Sequence, residues 1–209
     1  MNEQPLGNLF IVAAPSGGGK TSLVDRLTSS MENIIVSVSH TTRDKRPSEV
    51  DGEHYFFVDE HMFQQMVVDE AFIEHATVFG HQYGTSHAQI EMRLKQGTDV
   101  VLDIDWQGAL QIKRCFQHAV SIFILPPSYE ALRQRLEARQ RDNPDVIETR
   151  MQRAQDEMAH YRDFDFLIVN DTFECALSDL RSIILSYRLK LAYQMHKQRK
   201  LLSLLLATQ

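Results

Sequence analysis

The chain has 209 residues, of which 43% are hydrophobic and 24% charged, and its formal net charge at pH 7 is −6. This composition is typical of a globular protein that forms one large α/β domain, or a core with inserted subdomains. The net negative charge argues against a general binder of nucleic acids or of membrane surfaces.

The chain begins with "MNEQPLGNLF", which has no basic region followed by an apolar one, so we expect no secretory signal. No apolar run approaches the length of a membrane span, and the apolar end "LLSLLLATQ" is too short for one. We therefore expect a cytoplasmic protein with no membrane partner. In that compartment Cys115 and Cys175 are expected to be reduced, buried thiols.

Apolar runs alternate with helical patterns along the chain. "LFIVAA" (9–14) leads into a glycine loop, and "KTSLVDRLTSS" then has helical spacing. Further buried strands are predicted at "TDVVLDID" (98–105), "AVSIFILPP" (119–127) and "DFLIVND" (165–171). A long helical pattern from about Phe173 closes the chain. This alternation predicts an α/β fold whose parallel sheet is flanked by helices.

The glycine loop fits the phosphate-binding pattern G-x-x-x-x-G-K-[ST], except that Ala14 stands at its first glycine. Backbone N–H groups and the following helix N-terminus bind phosphate oxygens, while Lys20 reaches the phosphates and Thr21 can ligate Mg²⁺. A strand normally ends with negative φ, so we expect the methyl group of Ala14 to be tolerated. The predicted phosphate-binding residues are Ala14, Pro15, Ser16, Gly17, Gly18, Gly19, Lys20, Thr21 and Ser22.

Two segments depart from the strand–helix alternation. Residues 40–98 hold short, aromatic-rich strand candidates with turn signals and predict a small mixed β insert. Residues 133–157 are polar on most faces and predict a mobile helical hairpin. Positive charge is concentrated in both, at "RDKR" (43–46) and in 133–153, which holds six arginines against four acids. Such clusters in an acidic protein favour a small anionic ligand in a local pocket.

The segment "VVLDIDWQG" places Asp103 and Asp105 at the C-terminal end of a predicted buried strand, where ligands of open α/β sheets gather. The two carboxylates are two residues apart and therefore share one face. One of them can support the water ligands of Mg²⁺, which leaves the other free to face a second ligand.

Several spaced segments together resemble the guanylate kinase family. They are the phosphate loop, "SVSHTTRDKRPSEVDGEHYFF", "FIEHATVFGHQYGTS", "VVLDIDWQG", "RQRLEARQRD…ETRMQRA" and "DFLIVND". The resemblance covers nearly the whole chain and implies phosphoryl transfer from ATP to GMP with Mg²⁺. It also implies a P-loop kinase core, a small mixed β GMP-binding insert and a helical lid. The corresponding ranges are 1–39, 99–132 and 158–209 for the core, 40–98 for the insert and 133–157 for the lid.

The insert supplies the residue types that a nucleoside monophosphate needs. A phosphate dianion requires cationic and hydroxyl donors, which Arg43, Arg46 and Tyr55 provide. The resemblance implies that Ser39 and Tyr83 join this phosphate site.

Guanine recognition is implied by Glu74 in "FIEH", which matches the guanine-reading glutamate of the family. Guanine presents N1–H and N2–H₂ as adjacent donors to a carboxylate, whereas adenine presents a lone pair at N1. Thr85 matches a hydroxyl residue at the base, and Asp105 adds a second acidic contact, which assigns Asp103 to Mg²⁺.

In-line phosphoryl transfer needs alignment, charge neutralisation and exclusion of water. Arg135 and Arg139 are spaced i, i+4 and share one helical face. Gln140 stands where the family usually has glycine, which predicts a stiffer or differently turned lid tip. Asn170 matches a residue near the adenine of ATP. The residues that the resemblance implies for catalysis are Lys20, Arg43, Arg135, Arg139 and Arg150.

Two other functions are open at this point. A guanylate-kinase-like module without catalysis would bind a protein partner, but it would not need Lys20, Thr21 and Asp103 together with the lid arginines. A related P-loop kinase would phosphorylate another acceptor, such as a sugar phosphate, and Glu74 argues against this. The histidines are scattered without metal-ligand spacing, so we expect structural or solvent roles for them.

The C-terminal segment is longer than a closing helix requires. Its apolar end is either packed on the core or shared with a second subunit, so a homo-oligomer formed through the C-terminal helix is one expectation. The leucines concerned are Leu201, Leu202, Leu204, Leu205 and Leu206.

Overall fold

The computed structural model describes residues 7–78, 80–138 and 144–207. The strands are β1 (Leu9–Ala13), β2 (Ile34–Val36), β3 (His40–Thr41), β4 (Phe56–Phe57), β5 (Phe72–Val78), β6 (His81–Ser86), β7 (Asp99–Asp103), β8 (Val120–Leu125) and β9 (Phe166–Val169). The α-helices are α1 (Lys20–Ser30), α2 (Glu60–Val68), α3 (His87–Lys95), α4 (Trp106–Cys115), α5 (Tyr129–Ala138), α6 (Pro144–Ala159), α7 (Phe173–Arg188), α8 (Leu191–Lys197) and α9 (Arg199–Leu206). A 3₁₀ helix (His160–Asp163) follows α6.

The central sheet has the strand order β2-β7-β1-β8-β9, and every neighbouring pair in it is parallel. All five residues of β1 are buried, since helices cover both faces of the sheet. Phe10 and Val12 pack into a cluster with side chains of α1 and α7, while Leu9 and Ile11 pack with α3 and α4. The predicted α/β fold with a parallel sheet flanked by helices is therefore confirmed.

A second, four-stranded sheet has the order β4-β3-β6-β5. The β3–β4 pair is parallel and the β3–β6 and β5–β6 pairs are antiparallel, so the sheet is mixed, as predicted. The β5–β6 register shifts between Phe72 and Glu74. Phe72 packs on Phe63 of α2, with 4.7 Å between ring centroids, so α2 covers one side of this sheet. Helix α3 follows β6 and packs on the central sheet through Ile90 and Leu94.

Helices α5 and α6 form the predicted hairpin and pack on each other. Its sequence is polar on most faces, yet a narrow apolar seam joins the two helices. The residues of the seam are Leu132, Leu136, Ile147, Met151 and Ala154. Arg139 and Gln140 of the predicted lid tip lie outside the described residues.

The long helical pattern predicted after Phe173 is three helices, α7 to α9, instead of one. Helix α7 ends where the Arg188 side chain turns to Asp99, with 2.7 Å between Nε and Oδ2. Gln194 of α8 donates to the Arg188 carbonyl at 2.7 Å, which satisfies the helix end. The leucines of α9 do not pack on the core: Leu204 is 74% exposed and Leu206 81% exposed.

The expectation of buried thiols is wrong. Cys115 and Cys175 are both free, but both are exposed. Cys175 lies off the apolar stripe of α7, which passes through Ala176, Leu177 and Leu180. In the described part of the chain, no helix has the length and apolar character needed to span a bilayer.

Candidate functional site: a phosphate loop facing a carboxylate-lined cleft

The loop between β1 and α1 presents a set of backbone donors. Gly17 and Gly19 both have φ of 88°, a conformation that glycine adopts without strain. Among the described residues, no protein acceptor takes the N–H groups of Gly17, Gly19, Lys20 or Thr21. Free N–H groups at a helix N-terminus are well suited to bind phosphate oxygens.

Ala14 does not require a strained backbone. Asn33 and Glu70 are the non-glycine residues with positive φ in the described ranges, so Ala14 adopts an ordinary conformation. A Cβ built on Gly18 would come within 2.9 Å of the Ala14 methyl group, so the two residues lie against each other. The alanine therefore packs against Gly18 with an ordinary backbone conformation.

Lys20 points from the start of α1 to the end of β7. Its ammonium group forms an ion pair with Asp103 and donates to the Ile104 carbonyl at 2.9 Å. Both partners lie at the C-terminal edge of the central sheet. The positive charge of Lys20 is therefore balanced by Asp103.

The residues at this edge fit a Mg²⁺ ion that is carried by a nucleotide. Thr21 is exposed in the first turn of α1, and Asp103 lies at the end of β7. In the described ranges, no group of three or more His, Cys, Asp or Glu residues could hold a metal. Mg²⁺ keeps several waters and takes one or two protein oxygens together with substrate phosphates. The oxygen donors present here suit that mode of binding.

A cleft opens at the C-terminal end of β7 and faces the second sheet. It brings Lys20 and both predicted carboxylates together with residues of the insert. The residues that line it are Lys20, Ser39, Tyr55, Glu74, Ala76, Val78, Tyr83, Asp103, Ile104 and Asp105. Asp105 is the N-cap of α4, and its Oδ1 accepts from the Gly108 N–H at 2.9 Å. This bond fixes one carboxylate at the mouth of the cleft.

Glu74 lies in the wall of the cleft and is only 4% exposed. Thr85 Oγ1 donates to its Oε1 at 2.5 Å, and Ser39 Oγ lies 3.4 Å from Thr85 Oγ1. Burial raises the pKa of Glu74 to about 7; the Thr85 bond and Lys20 oppose this rise, while the charge of Asp105 adds to it. One oxygen of Glu74 is thus held in place beside the cleft. Burial makes the ionised form of this carboxyl group unfavourable.

Gly108 was not among the predicted site residues, yet it lies directly against the other Glu74 oxygen. A Cβ at position 108 would come within 2.5 Å of Glu74 Oε2 and 3.3 Å of Ile104 Cδ1. Because Oε1 is held by Thr85, the carboxyl group cannot turn away without losing that bond. The available signal was a glycine inside a helical pattern, which costs stability and marks close packing.

We expect Gly108→Ala to lower kcat/KM for GMP about 10- to 100-fold, because a displacement of about 1 Å at a binding group has that effect. KM for ATP should change by less than about twofold, since the atoms nearest to a side chain at position 108 belong to Glu74 and Ile104 and not to the loop. Steady-state kinetics with each substrate varied in turn measures both values. Arg114→Ala, at an exposed position of the same helix, is the control; equal GMP kinetics in the two variants would contradict the prediction.

The predicted phosphate-binding arginine of the insert, Arg43, lies against aromatic rings. Its guanidinium carbon is 5.4 Å from the Tyr55 ring centroid, and the Tyr55 and Tyr83 rings meet edge to face at 5.9 Å. Burial raises the pKa of Tyr55 to about 12, so its hydroxyl group remains a donor. The structure therefore brings Arg43, Tyr55 and Tyr83 together.

Glu49 organises this segment and was also missed. It accepts from Arg43 Nη2 at 2.7 Å through Oε1 and from the Arg46 backbone N–H at 2.8 Å through Oε2. The side chain of Arg46 is exposed. The signal in the sequence was an acid three residues after Arg46, a spacing that suits a turn.

Asn170 lies next to the phosphate loop. It is buried, and its Nδ2 donates to the Gly18 carbonyl at 3.0 Å. The backbone carbonyl of Asn170 accepts a hydrogen bond from Arg135 Nη2 at 2.7 Å, which connects α5 to the end of β9. Arg150 is half-buried on α6, and Arg139 lies outside the described residues.

These features define a P-loop kinase that acts on nucleoside monophosphates: a phosphate loop after the central strand, a lysine at its end, an insert facing it and a helical hairpin over it. The family model described as guanylate kinase matches residues 6–187. The guanylate kinase of Legionella pneumophila (strain Lens) is 59% identical over 203 residues, which cover 97% of each chain. The guanylate kinase of Escherichia coli (strain K12) is 53% identical over 203 residues, covering 96% of this chain and 98% of that protein.

A solved structure agrees. The crystal structure of guanylate kinase from Anaplasma phagocytophilum matches with a TM-score of 0.77 at 33% identity, and the match covers 96% of this chain and 95% of the other. The chain belongs to the guanylate kinase family.

Proposed function

We propose that this protein transfers the γ-phosphoryl group of ATP to GMP, giving ADP and GDP. The observation that carries the proposal is the buried carboxylate of Glu74, held by Thr85 in a cleft that also contains Lys20. A carboxylate pairs with the adjacent N1–H and N2–H₂ donors of guanine, whereas the N1 lone pair of adenine would face it unpaired. Asp105 adds a second acceptor on the same side.

The acceptor phosphate is proposed to lie against the aromatic and cationic cluster of the insert. Arg43 and Arg46 supply charge-assisted donors, and the hydroxyl groups of Tyr55, Tyr83 and Ser39 add neutral ones. Binding of the dianion would draw Arg43 away from Glu49, to which it is bonded in the ligand-free protein.

The donor ATP is proposed to occupy the phosphate loop, with its phosphates on the free N–H groups and on Lys20. Asn170 lies beside this loop and is placed near the adenine end of the nucleotide. The insert (40–98) and the lid (133–157) are proposed to close on the core, and Arg135, Arg139 and Arg150 would then neutralise the transferring group. Closure brings the two phosphates into line and excludes water.

Mg²⁺ is proposed to accompany ATP, held by the Thr21 hydroxyl group and by Asp103 directly or through water. When bound, it neutralises charge on the β- and γ-phosphates. In this arrangement, Lys20 leaves Asp103 for the phosphates and frees that carboxylate.

The exposed leucines of α9 are proposed to form a contact between two copies of the chain, because Leu204 and Leu206 remain largely exposed within the described part of the protomer. We expect the wild type to sediment as an oligomer and the Leu204→Glu variant to sediment as a monomer. An unchanged sedimentation profile would exclude α9 from any such contact.

The proposed reaction is tested by following ADP release with GMP, dGMP, AMP, UMP and ribose 5-phosphate as acceptors. We expect the highest kcat/KM with GMP, about a hundredfold or more above AMP and UMP. dGMP is included as an acceptor because comparing it with GMP measures the contribution of the 2′-hydroxyl group. Absence of turnover with every acceptor would favour a binding module, and preference for a sugar phosphate would favour another kinase.

A further inference from the structure

The C-terminal part of the lid helix α6 contacts the phosphate loop directly. Glu157 Oε2 accepts a hydrogen bond from the Ser16 N–H at 2.9 Å, across 141 residues of sequence. Glu157 is half-buried, and its neighbour on the same helix, Asp156, is exposed. The nucleotide-binding motif contains no residue of this helix, and nothing in the proposed reaction assigns a role to Glu157.

The lid hairpin also covers the next residue of the loop. A Cβ built on Gly17 would come within 2.9 Å of Leu136 and 3.0 Å of Leu132, so α5 lies directly on the loop. Both leucines pack against Met151 of α6. Glu157 is therefore the polar end of a contact that joins the hairpin to the phosphate loop.

The hydrogen bonds of the loop divide into two sets. The Ser16 N–H donates to Glu157, and the Gly18 N–H donates to the Pro15 carbonyl at 2.9 Å. The other N–H groups of the loop, those of Gly17, Gly19, Lys20 and Thr21, have no protein acceptor in the described residues. Glu157 thus holds the entrance of the loop and leaves the phosphate-binding donors free.

The charge environment of Glu157 belongs to the nucleotide site. Burial raises its pKa, the Ser16 N–H opposes that rise, Asp105 adds to it, and Arg153 and Lys20 oppose it. Keeping a carboxylate half-buried beside an anion-binding loop is unfavourable unless the bond to Ser16 compensates.

A second contact fixes the same end of the helix. His160, in the 3₁₀ helix after α6, stacks on Trp106 with ring centroids 3.5 Å apart and planes inclined by 8°. Trp106 directly follows Asp105, the N-cap of α4. The C-terminal end of α6 is therefore attached both to the phosphate loop and to the start of α4. Arg150 lies nearer to the N-terminus of the same helix.

We propose that Glu157 is a positioning residue of the ATP site, which ties the phosphate loop to the lid helix through Ser16 and so fixes the orientation of the loop's free N–H groups. The inference rests on the proposed binding of ATP to this loop. It assigns to Glu157 a larger effect on ATP than on GMP, because its hydrogen bond is to Ser16 of the phosphate loop, whereas Asp105 acts on it only through charge.

The test uses Glu157→Ala, Glu157→Asp, Glu157→Gln and the control Asp156→Asn. For each, KM for ATP and for GMP is measured, together with the dissociation constant of the non-hydrolysable analogue AMPPNP by calorimetry. Glu157→Ala should raise KM for ATP and the AMPPNP constant about tenfold, with KM for GMP within about twofold. Glu157→Asp, which is too short to reach Ser16, should raise them about fivefold, and Glu157→Gln, which keeps an acceptor, should stay within about threefold of wild type.

The proposal is overturned if ATP and AMPPNP binding in Glu157→Ala stay within about twofold of Asp156→Asn. Tighter ATP binding in that variant would also overturn it, because the carboxylate would then be a competitor of phosphate. If Glu157→Ala does not fold in a thermal unfolding assay, the Glu157→Asp values decide in the same way. Absence of wild-type turnover would instead count against the proposed function, while the AMPPNP titrations would still report on Glu157.

Discussion

Glu74→Gln is expected to lower kcat/KM for GMP by about a thousandfold and to leave KM for ATP within about twofold. The amide presents an N–H₂ group where one carboxylate oxygen accepted from guanine, so a donor faces a donor in a buried site. Thr85 still bonds to the remaining oxygen, and the shape of the cleft is unchanged. Initial rates with each substrate varied in turn measure both constants.

The same substitution is expected to stabilise the ligand-free protein at alkaline pH. Burial raises the pKa of Glu74 from 4.5 to about 7, so the folded protein binds a proton that the unfolded chain releases between these values. The associated stability is complete below about pH 4.5, declines as the pH rises to about 7 and is absent above it. The cost of ionised Glu74 above pH 7 is up to about 3 kcal/mol, and glutamine avoids it.

Urea unfolding at about pH 8 and about pH 5 separates this effect from general changes in packing. Glu74→Gln should be more stable than wild type at the higher pH and not at the lower one. Glu60→Gln, at an exposed position in the first turn of α2, is the matched control.

For the kinetic prediction, a Glu74→Gln protein that keeps wild-type GMP kinetics would remove the basis for guanine recognition by Glu74.

Lys20→Met is expected to lower kcat about a thousandfold, because removal of one preorganised charge at a developing phosphate costs that much. Methionine keeps the length of the side chain but cannot neutralise the phosphates, and it leaves Asp103 without its ion-pair partner. KM for GMP should change less than kcat, since the residues proposed to bind guanine are unchanged in this variant. Single-turnover rates at saturating ATP and GMP measure the effect on transfer itself.

Lys95→Met, at an exposed position of α3, is the control for loss of a positive charge. A Lys20→Met variant that retains kcat within about tenfold of this control would show that the loop lysine is not the essential cation. Thermal unfolding of both variants shows whether any loss comes from the fold.

The phosphate loop could be predicted from the sequence because its chemistry is local. The glycines, Lys20 and Thr21 are consecutive, and the strand before them and the helix after them are evident from their periodicity. Its supports could not be predicted, because they come from distant parts of the chain. Asn170 holds Gly18 and Glu157 holds Ser16, each across more than a hundred residues.

The proposed guanine pocket shows the same division. Glu74 and Thr85 were identified through the resemblance, but their contact with each other depends on the β5–β6 register. Gly108 was missed because its need for a small side chain arises from Glu74, on another element. Steric demands of this kind become visible only when both elements are in place.

Amphipathic patterns predicted where helices form better than they predicted where the helices end and which of their residues are buried. The pattern after Phe173 is helical, but α7 ends at Arg188, whose side chain bonds to Asp99, a buried carboxylate of β7. Cys115 and Cys175 were expected to be buried on residue type alone, and their helices turn both towards solvent. Burial depends on the packed face of each helix, which local sequence determines only in part.

The dissociation constant of GMP, measured by calorimetry from about pH 5.5 to about pH 8.5 for wild type and Glu74→Gln, tests guanine recognition most directly. The wild-type affinity should fall as the pH drops through about 7, because a protonated Glu74 cannot accept both guanine donors. Glu74→Gln should bind weakly and lack this transition, while the titration of the GMP phosphate near pH 6 is common to both proteins. Equal affinities with the same pH dependence in the two proteins would contradict the assignment of Glu74 as the group that reads guanine.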